Sequence, residues 1–374
     1  MKKVIFKNSK KWKSVNADLF TIDESACEIV SIDKDVISNN YILEPDDRYN
    51  HVSFFCGDEK AAKVYPGALS IGVEYKKNEG MGRDLTYLNS LTASNSGRVD
   101  NYVLKDEKNL SHREDNSKKI SVFVPDSYDG VTPHDILYFF DAQNLFCNAG
   151  DYTENGDPYG SWQLDVVIGE LHRQYGKNII VVGIDNADMY RSNELFMDPK
   201  WFGRLSPLAF AIPEDNFSTG YLQGLSSFMV TTLHSFIREK YCVKEDNIGI
   251  GGSSMGGIAS FFCSIYEMGF YKYALSYSPA YGLYEMEAFD NWFKIIDFKK
   301  HFDVLPKIHI YCGGGDMLEQ QLLPASKEMK SLLIKHGYNG EKIFETYDME
   351  KPHNEESWRL VLPESFSYLF DLKV

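Results

Sequence analysis

The chain is short of cysteine, short of basic residues relative to acidic ones, and without long apolar runs, and each shortage closes off a class of protein. Its 374 residues include six cysteines (Cys27, Cys56, Cys147, Cys242, Cys263 and Cys312) with no CxxC pair and no framework of close spacings. A disulfide scaffold or a zinc ribbon is therefore not expected, and the thiols read as free and mostly buried. Lys and Arg number 39 against 54 Asp and Glu, a net charge of −15, which repels phosphate backbones and anionic lipid surfaces. Neither nucleic acid nor membrane is expected as a partner. Behind Lys2 and Lys3 the apolar run is only Val4, Ile5 and Phe6, well short of a signal-peptide core, and no later run has the length of a membrane span. The expected location is the cytoplasm. No ordered His/Cys ligand cluster and no phosphate-cradling loop can be found. Asp151–Gly156 (DYTENG) opens like a calcium loop, but Trp162 stands where the closing Glu should be. The chemistry is expected to need no metal and no cofactor.

What the chain has is material for a large core: 43% hydrophobic and 14% aromatic residues, with 24 Tyr and 24 Phe. At this length two units are expected. Residues 1–90 carry short alternating segments (Lys3–Lys7, Ala17–Thr21, Val52–Cys56) between polar turns, with no sustained helical period, and predict a small β-sandwich module. Residues 91–374 open with a strand over Arg98–Leu104 and a charged run, Lys105–Lys119, expected as a solvated hairpin tip. Apolar strands then follow at Ile120–Pro125, Ile136–Phe140, Ile179–Ile184, Tyr273–Ser278, Ile308–Cys312 and Ile343–Asp348. Helical spacings lie between them over Ser161–Tyr175 (Ser161 as cap, Gly176 as stop), Tyr221–Lys240 and Pro324–Gly337. This alternation predicts an α/β fold, a mostly parallel doubly wound sheet with ligands at the carboxyl ends of its strands.

The stretch that organises this unit is Asn247–Ser260. A strand-like run ends at Gly251, a helical pattern begins at Met255, and Gly252-Ser253-Ser254-Met255-Gly256 between them is a GxSxG turn. Such a turn strains its central residue and demands small neighbours, leaving Ser254 on the tip. A serine hydroxyl is a weak nucleophile near neutral pH, so it needs a base to take its proton and an acid to orient that base. The strand Ile308–Cys312 runs into GGGDMLE, where a sharp turn can aim Asp316 across the sheet edge, with Glu319 as competitor. The strand Ile343–Asp348 runs into MEKPHNEESW, which places His353 in the loop before the last helix. Ser, acid and His in that order, each after a strand, is what the α/β-hydrolase arrangement requires. The oxyanion needs two backbone donors. Met255 supplies one, and the loop Asp141-Ala142-Gln143-Asn144 supplies the other, assigned to Gln143 with Ala142 next.

At these residues the blocks FFDAQNLF, VVGIDNADMYRSNEL, GGSSMGG, LSYSPAYG, CGGGDMLE and PHNEESW resemble the Putative esterase family of the α/β-hydrolase superfamily. That group contains feruloyl and acetylxylan esterases, siderophore esterases and S-formylglutathione hydrolase. The resemblance covers roughly residues 97–374. It implies an α/β-hydrolase fold, Ser254, Asp316 and His353 as the triad, and Met255 with Gln143 as the oxyanion hole. Two departures stand out: the family usually has Gly where Ala142 stands, and its acid position varies, which keeps Glu319 in contention. Residues 1–90 loosely resemble starch-binding β-sandwich modules, through Phe6, Lys7, Asn8, Trp12 and the turn closing Phe54–Asp58. This implies a carbohydrate-binding role in which Trp12 stacks on sugar rings.

The segment Asn186–Gly220, with three prolines and several aromatics after a strand end, is expected to roof the pocket, anchored by an Arg191–Glu194 pair. Asp141, Ala142, Arg191, Trp201 with its neighbour Phe202, and Tyr281 are the candidates for lining the substrate. The expected activity is that of a serine carboxylesterase removing acetyl or feruloyl-type groups from carbohydrate. A siderophore or other small ester is the alternative substrate, and a catalytically inactive carbohydrate-binding protein the alternative class. Expected partners are a small-molecule or oligosaccharide ester and further copies of the same chain.

Overall fold

The computed structural model describes residues 4–7, 13–20, 27–33, 41–43, 51–56, 59–64, 72–74, 97–146, 161–186, 190–210 and 219–372. Its contacts divide the chain into a smaller unit, residues 1–101, 122–128 and 143–178, and a larger one holding the rest.

The N-terminal strands are β1 (Val4–Lys7), β2 (Val15–Phe20), β3 (Cys27–Ile32), β4 (Tyr41–Leu43), β5 (His51–Cys56), β6 (Glu59–Val64) and β7 (Gly72–Glu74). They form a four-stranded sheet in the order β3-β2-β5-β6 and a three-stranded one in the order β4-β1-β7. Val15, Ala17 and Leu19 are buried along β2, as is Asp18 between the last two, and Ala17 is paired with the buried Phe54 of β5. Trp12, the proposed sugar platform, lies outside the described residues.

The larger sheet is built from β8 (Gly97–Lys105), β9 (Ser117–Pro125), β10 (His134–Phe140), β11 (Ile179–Ile184), β12 (Val243–Ser253), β13 (Tyr273–Tyr277), β14 (Lys307–Gly313) and β15 (Ile343–Asp348). Its order is β15-β14-β13-β12-β10-β11-β9-β8, and β11, β10, β12, β13, β14 and β15 are joined by parallel pairings. Every residue of β10, β11 and β13 is buried, which only a sheet covered on both faces allows. The register brings the carboxyl ends to one edge: Ser253 faces Tyr277, Tyr277 faces Tyr311, and Gly313 faces Asp348. The residues just beyond those ends, on four adjacent strands, are Ser254, Ser278, the Gly314–Asp316 turn and the loop to His353.

Three local readings are corrected. The helix α1 (Leu164–Tyr175) has Gln163 rather than Ser161 at the cap position. The Ser161 hydroxyl donates instead to the Asn144 and Phe146 carbonyls, tying the chain to that turn. Gly176 does stop the helix, at φ 64°. The run 105–119 is not a solvated tip, because Leu110 and Lys118 are buried. The helix expected from Pro324 starts seven residues earlier: α3 spans Met317–Lys335 with Pro324 inside it. Its cap is Asp316, whose Oδ1 accepts from the Glu319 amide at 2.8 Å, so the helix nucleates on the Asp side chain and not on the proline ring. Among the described residues, no helix is long and apolar enough to cross a membrane.

Candidate active site

Ser254 sits between β12 and α2 (Met255–Tyr266) at φ 56°, ψ −118°, a conformation few residues with a Cβ adopt. The turn is held from several sides. The Ser254 amide donates to the Tyr277 carbonyl at 2.9 Å, and its own carbonyl accepts from the amides of Gly257, Ile258 and Ala280. A Cβ at Gly252 would fall 2.6 Å from the Gly256 oxygen, which is why the pattern demands glycine there. Met255 is the first helical residue, so its N–H has no acceptor within the helix and is free to point at a developing charge beside Ser254.

The loop after β10 lies against this elbow: a Cβ on Gly256 would approach Phe140 Cβ at 3.1 Å and Asp141 Oδ2 at 3.2 Å. Asp141 has φ 58° and takes a two-pronged ion pair from Arg191, Nε to Oδ1 at 2.7 Å and Nη2 to Oδ2 at 2.8 Å. The two side chains are engaged with each other, which ties the segment at Arg191 to the loop after β10. Ala142 and Gln143 follow in the turn Ala142–Asn144 and are buried.

Arg191 does not pair with Glu194 as expected. Glu194 turns inward and is met by Lys118, by His112 Nε2 at 2.8 Å and by Arg113 Nη1 at 3.0 Å, while the His112 ring stacks on Tyr221 at 4.3 Å. Burial alone would raise the Glu194 carboxyl, but Lys118, His112 and Arg113 together bring it down to about 2. A carboxyl lowered in the folded state stabilises the fold above its ordinary value of 4.5 and loses that contribution as pH falls toward 2. Thermal unfolding in this window is expected to become steadily easier with acid. Glu194→Gln should flatten that part of the pH dependence and, by leaving Lys118 uncompensated, cost roughly 3–5 kcal/mol at neutral pH. A variant as stable as the parent at pH 7 would refute this.

At the other side of the elbow the histidine ring meets Glu319 and not Asp316. His353 Nδ1 meets Glu319 Oε1 at 3.0 Å, and Asp316 instead accepts the His353 main-chain amide on Oδ2 at 2.6 Å. Asp316 has one oxygen committed to the helix cap and the other to the backbone of the histidine loop, so it positions the loop and leaves the ring to Glu319. Glu319 is completely buried, with Gly313 N donating to Oε2 at 2.9 Å, Cys312 Sγ to Oε2 at 3.1 Å and Ser278 Oγ to Oε1 at 2.5 Å. Burial pushes its carboxyl up, yet His353, Ser278 and Cys312 outweigh this and hold it below the usual range. The same balance lowers Asp316, where burial is outweighed by the amides of Glu319 and His353. Asp316-x-x-Glu319 after a glycine run is a helix-start pattern, but the pattern does not say which of the two carboxylates meets the imidazole.

Three further candidates, Tyr281, Trp201 and Phe202, pack in the core or along α2. Tyr281 is fully buried, its hydroxyl 2.8 Å from Ser276 Oγ, and is core. Trp201 is half exposed and packs edge-on against Phe262 and Tyr266. These lie eight and twelve residues past Ser254 along α2, about 12 and 18 Å down the helix axis. Phe202 is buried among Tyr284, Phe289 and Trp292. The described part of the segment after β11 thus meets the site at Arg191 and then packs along the flank of α2. Sequence reasoning missed Ser278 and Trp358, which complete the surroundings of Glu319.

A strained serine at the end of one parallel strand, with a carboxylate beyond the second strand along and its histidine beyond the third on the same edge, is the arrangement of a hydrolase, and the family model described as Putative esterase matches residues 111–369. The chain belongs to that family. It is a carboxylic-ester hydrolase with an α/β-hydrolase fold. No curated protein matches the sequence. Among solved structures this esterase is similar to an IroE-like serine hydrolase from Shewanella oneidensis, at 13% identity over 74% of this chain and 82% of that one, TM-score 0.56. It is also similar to the siderophore hydrolase EstA from Aspergillus nidulans, at 12% identity over 73% and 95%, TM-score 0.55, and to a ferulic acid esterase, at 14% identity over 73% and 98%, TM-score 0.50.

Proposed function

We propose that this esterase works through Ser254, His353 and Glu319, by way of an acyl-enzyme, on acetyl or hydroxycinnamoyl esters of carbohydrate. The observation that carries the mechanism is the His353 Nδ1 contact with a buried carboxylate held in its ionised form. An ionised carboxylate only accepts, so Nδ1 carries the proton and Nε2 keeps its lone pair for the Ser254 hydroxyl. Ser254 Oγ attacks the ester carbonyl as His353 takes its proton. The tetrahedral oxyanion is met by the Met255 N–H and by the loop after β10, where Gln143 is our assignment. His353 then gives its proton to the departing alcohol, and water repeats the cycle to release the acid. Glu319 stays ionised and stabilises the imidazolium.

The carbohydrate half of the reading is supported by the likeness to a ferulic acid esterase and by the resemblance of the N-terminal strands to glycan-binding modules. The likeness to a siderophore hydrolase favours a second reading, a siderophore ester. Turnover of acetylated and feruloylated oligosaccharides beside a siderophore ester separates them. We expect kcat/KM on a sugar ester to exceed that on the siderophore by at least about tenfold, a difference of 1.4 kcal/mol in transition-state binding. The reverse order would transfer the assignment to the siderophore class.

A further inference from the structure

Ser278 and Trp358 take no direct part in that chemistry, yet their polar groups meet behind the acid. Ser278 follows β13 at φ 40°, immediately before Pro279, whose ring disfavours helical backbone in its predecessor. Its amide donates to the Tyr311 carbonyl at 2.6 Å. Its side chain is completely buried and donates to Glu319 Oε1, the same oxygen that faces His353. Behind it, the Trp358 indole donates to Ser278 Oγ at 2.8 Å, and the Trp358 ring stands perpendicular to the His353 ring at 4.9 Å between centroids.

We propose that Ser278 is a positioning residue for the Glu319–His353 pair, its hydroxyl aimed by the Trp358 indole. The direction of the proton is forced. An indole N–H only donates, so it takes a lone pair of Ser278; an ionised carboxylate only accepts, so the Ser278 proton goes to Glu319. Gly313 and Cys312 fix Oε2 while Ser278 and His353 share Oε1, which leaves the carboxylate one orientation. Trp358 and His353 are five residues apart, on α4 (Glu355–Leu369) and the loop that precedes it. The contact chain from Trp358 through Ser278 and Glu319 to His353 therefore ties the base to its own helix. The titratable groups around Glu319 are His353 from the loop after β15, Cys312 and Tyr311 from β14, and Asp316 at its own helix cap.

This inference rests on the Ser254–His353–Glu319 reading. The test is the pH profile of kcat and kcat/KM on a nitrophenyl acyl ester for Ser278→Ala, Ser278→Gly and Trp358→Phe, beside Ser254→Ala and Glu319→Gln. Removing a donor from the carboxylate makes it a better acceptor for the imidazolium, so the acid limb of the variant is expected to move to higher pH. We expect each of the three variants to lose roughly 10- to 100-fold in kcat with KM little changed, and to shift the acid limb upward. Ser278→Gly relieves the positive φ while lacking the hydroxyl, so it separates backbone strain from hydrogen bonding and guards against a misfolded alanine variant. A merely structural role lowers the melting temperature and leaves the limb in place. If all three variants keep the parental profile while Ser254→Ala and Glu319→Gln are crippled, the positioning role is wrong and the triad stands. If Ser254→Ala or Glu319→Gln keeps parental activity, the triad itself has failed.

Discussion

Ser254→Ala will lower kcat on a short-chain nitrophenyl ester by about 10⁶-fold, the scale seen when a triad nucleophile is removed, while leaving the thermal transition within about a degree of the parent. The turn supplies the reason for both halves. Ser254 holds φ 56° because its amide and carbonyl are bonded to Tyr277, Gly257, Ile258 and Ala280, all through the main chain. Alanine inherits those bonds and the same backbone strain, so folding is untouched. What is lost is the one atom that can form the acyl bond. A fluorophosphonate probe should label the parent stoichiometrically and the variant not at all, and labelling that survives in Ser254→Ala would remove this residue from its role.

Glu319→Gln will cost about 10⁴-fold in kcat, whereas Asp316→Asn will cost about tenfold. The first figure is the scale of losing the carboxylate that sets the histidine tautomer. In the parent, Oε2 accepts from Gly313 N and Cys312 Sγ and Oε1 from Ser278 and His353. An amide must turn its NH₂ toward one of those donor pairs, so it leaves buried donors unmet in either orientation, loses the acceptor for the imidazole when the NH₂ lies on the Ser278 side, and in neither case supplies a negative charge to the imidazolium. Asn at 316 is as good a helix cap as Asp, but its NH₂ would face the His353 amide that Oδ2 now accepts. The loop loosens by one hydrogen bond, on the order of 1 kcal/mol. Steady-state kinetics of the two variants decide the matter. A ranking with Asp316→Asn the more damaging would return the acid to Asp316.

The comparison between residues 316 and 319 shows where sequence stops. Both carboxylates follow the same strand, three positions apart on one helical turn, and either can be drawn toward a histidine that the chain supplies 34 to 37 residues later. Which one reaches the ring depends on where the loop from β15 descends, a fact of packing between β14, β15 and α3. Trp201 is a second case. It follows a strand end in a segment rich in aromatics, as pocket walls often do, but the direction its segment takes after Arg191 is set by the buried anchor at Glu194, whose partners come from residues 112–118. Tyr281 is a third, since only a neighbour such as Ser276 shows that its hydroxyl is satisfied inside the core.

What the amino-acid order determined by itself was local. The strand–turn–helix around Ser254, the glycines its backbone requires, the alternation that makes a parallel sheet, and the succession of serine, acidic turn and histidine along it all follow from turn chemistry and periodicity, which act over a few residues. Tertiary structure decided which carboxylate meets His353, the pairing of Arg191 with Asp141, and the meeting of Ser278, Trp358, Glu319 and His353. These depend on contacts between segments tens of residues apart, and no local preference encodes which of several suitable side chains ends within hydrogen-bonding distance of another.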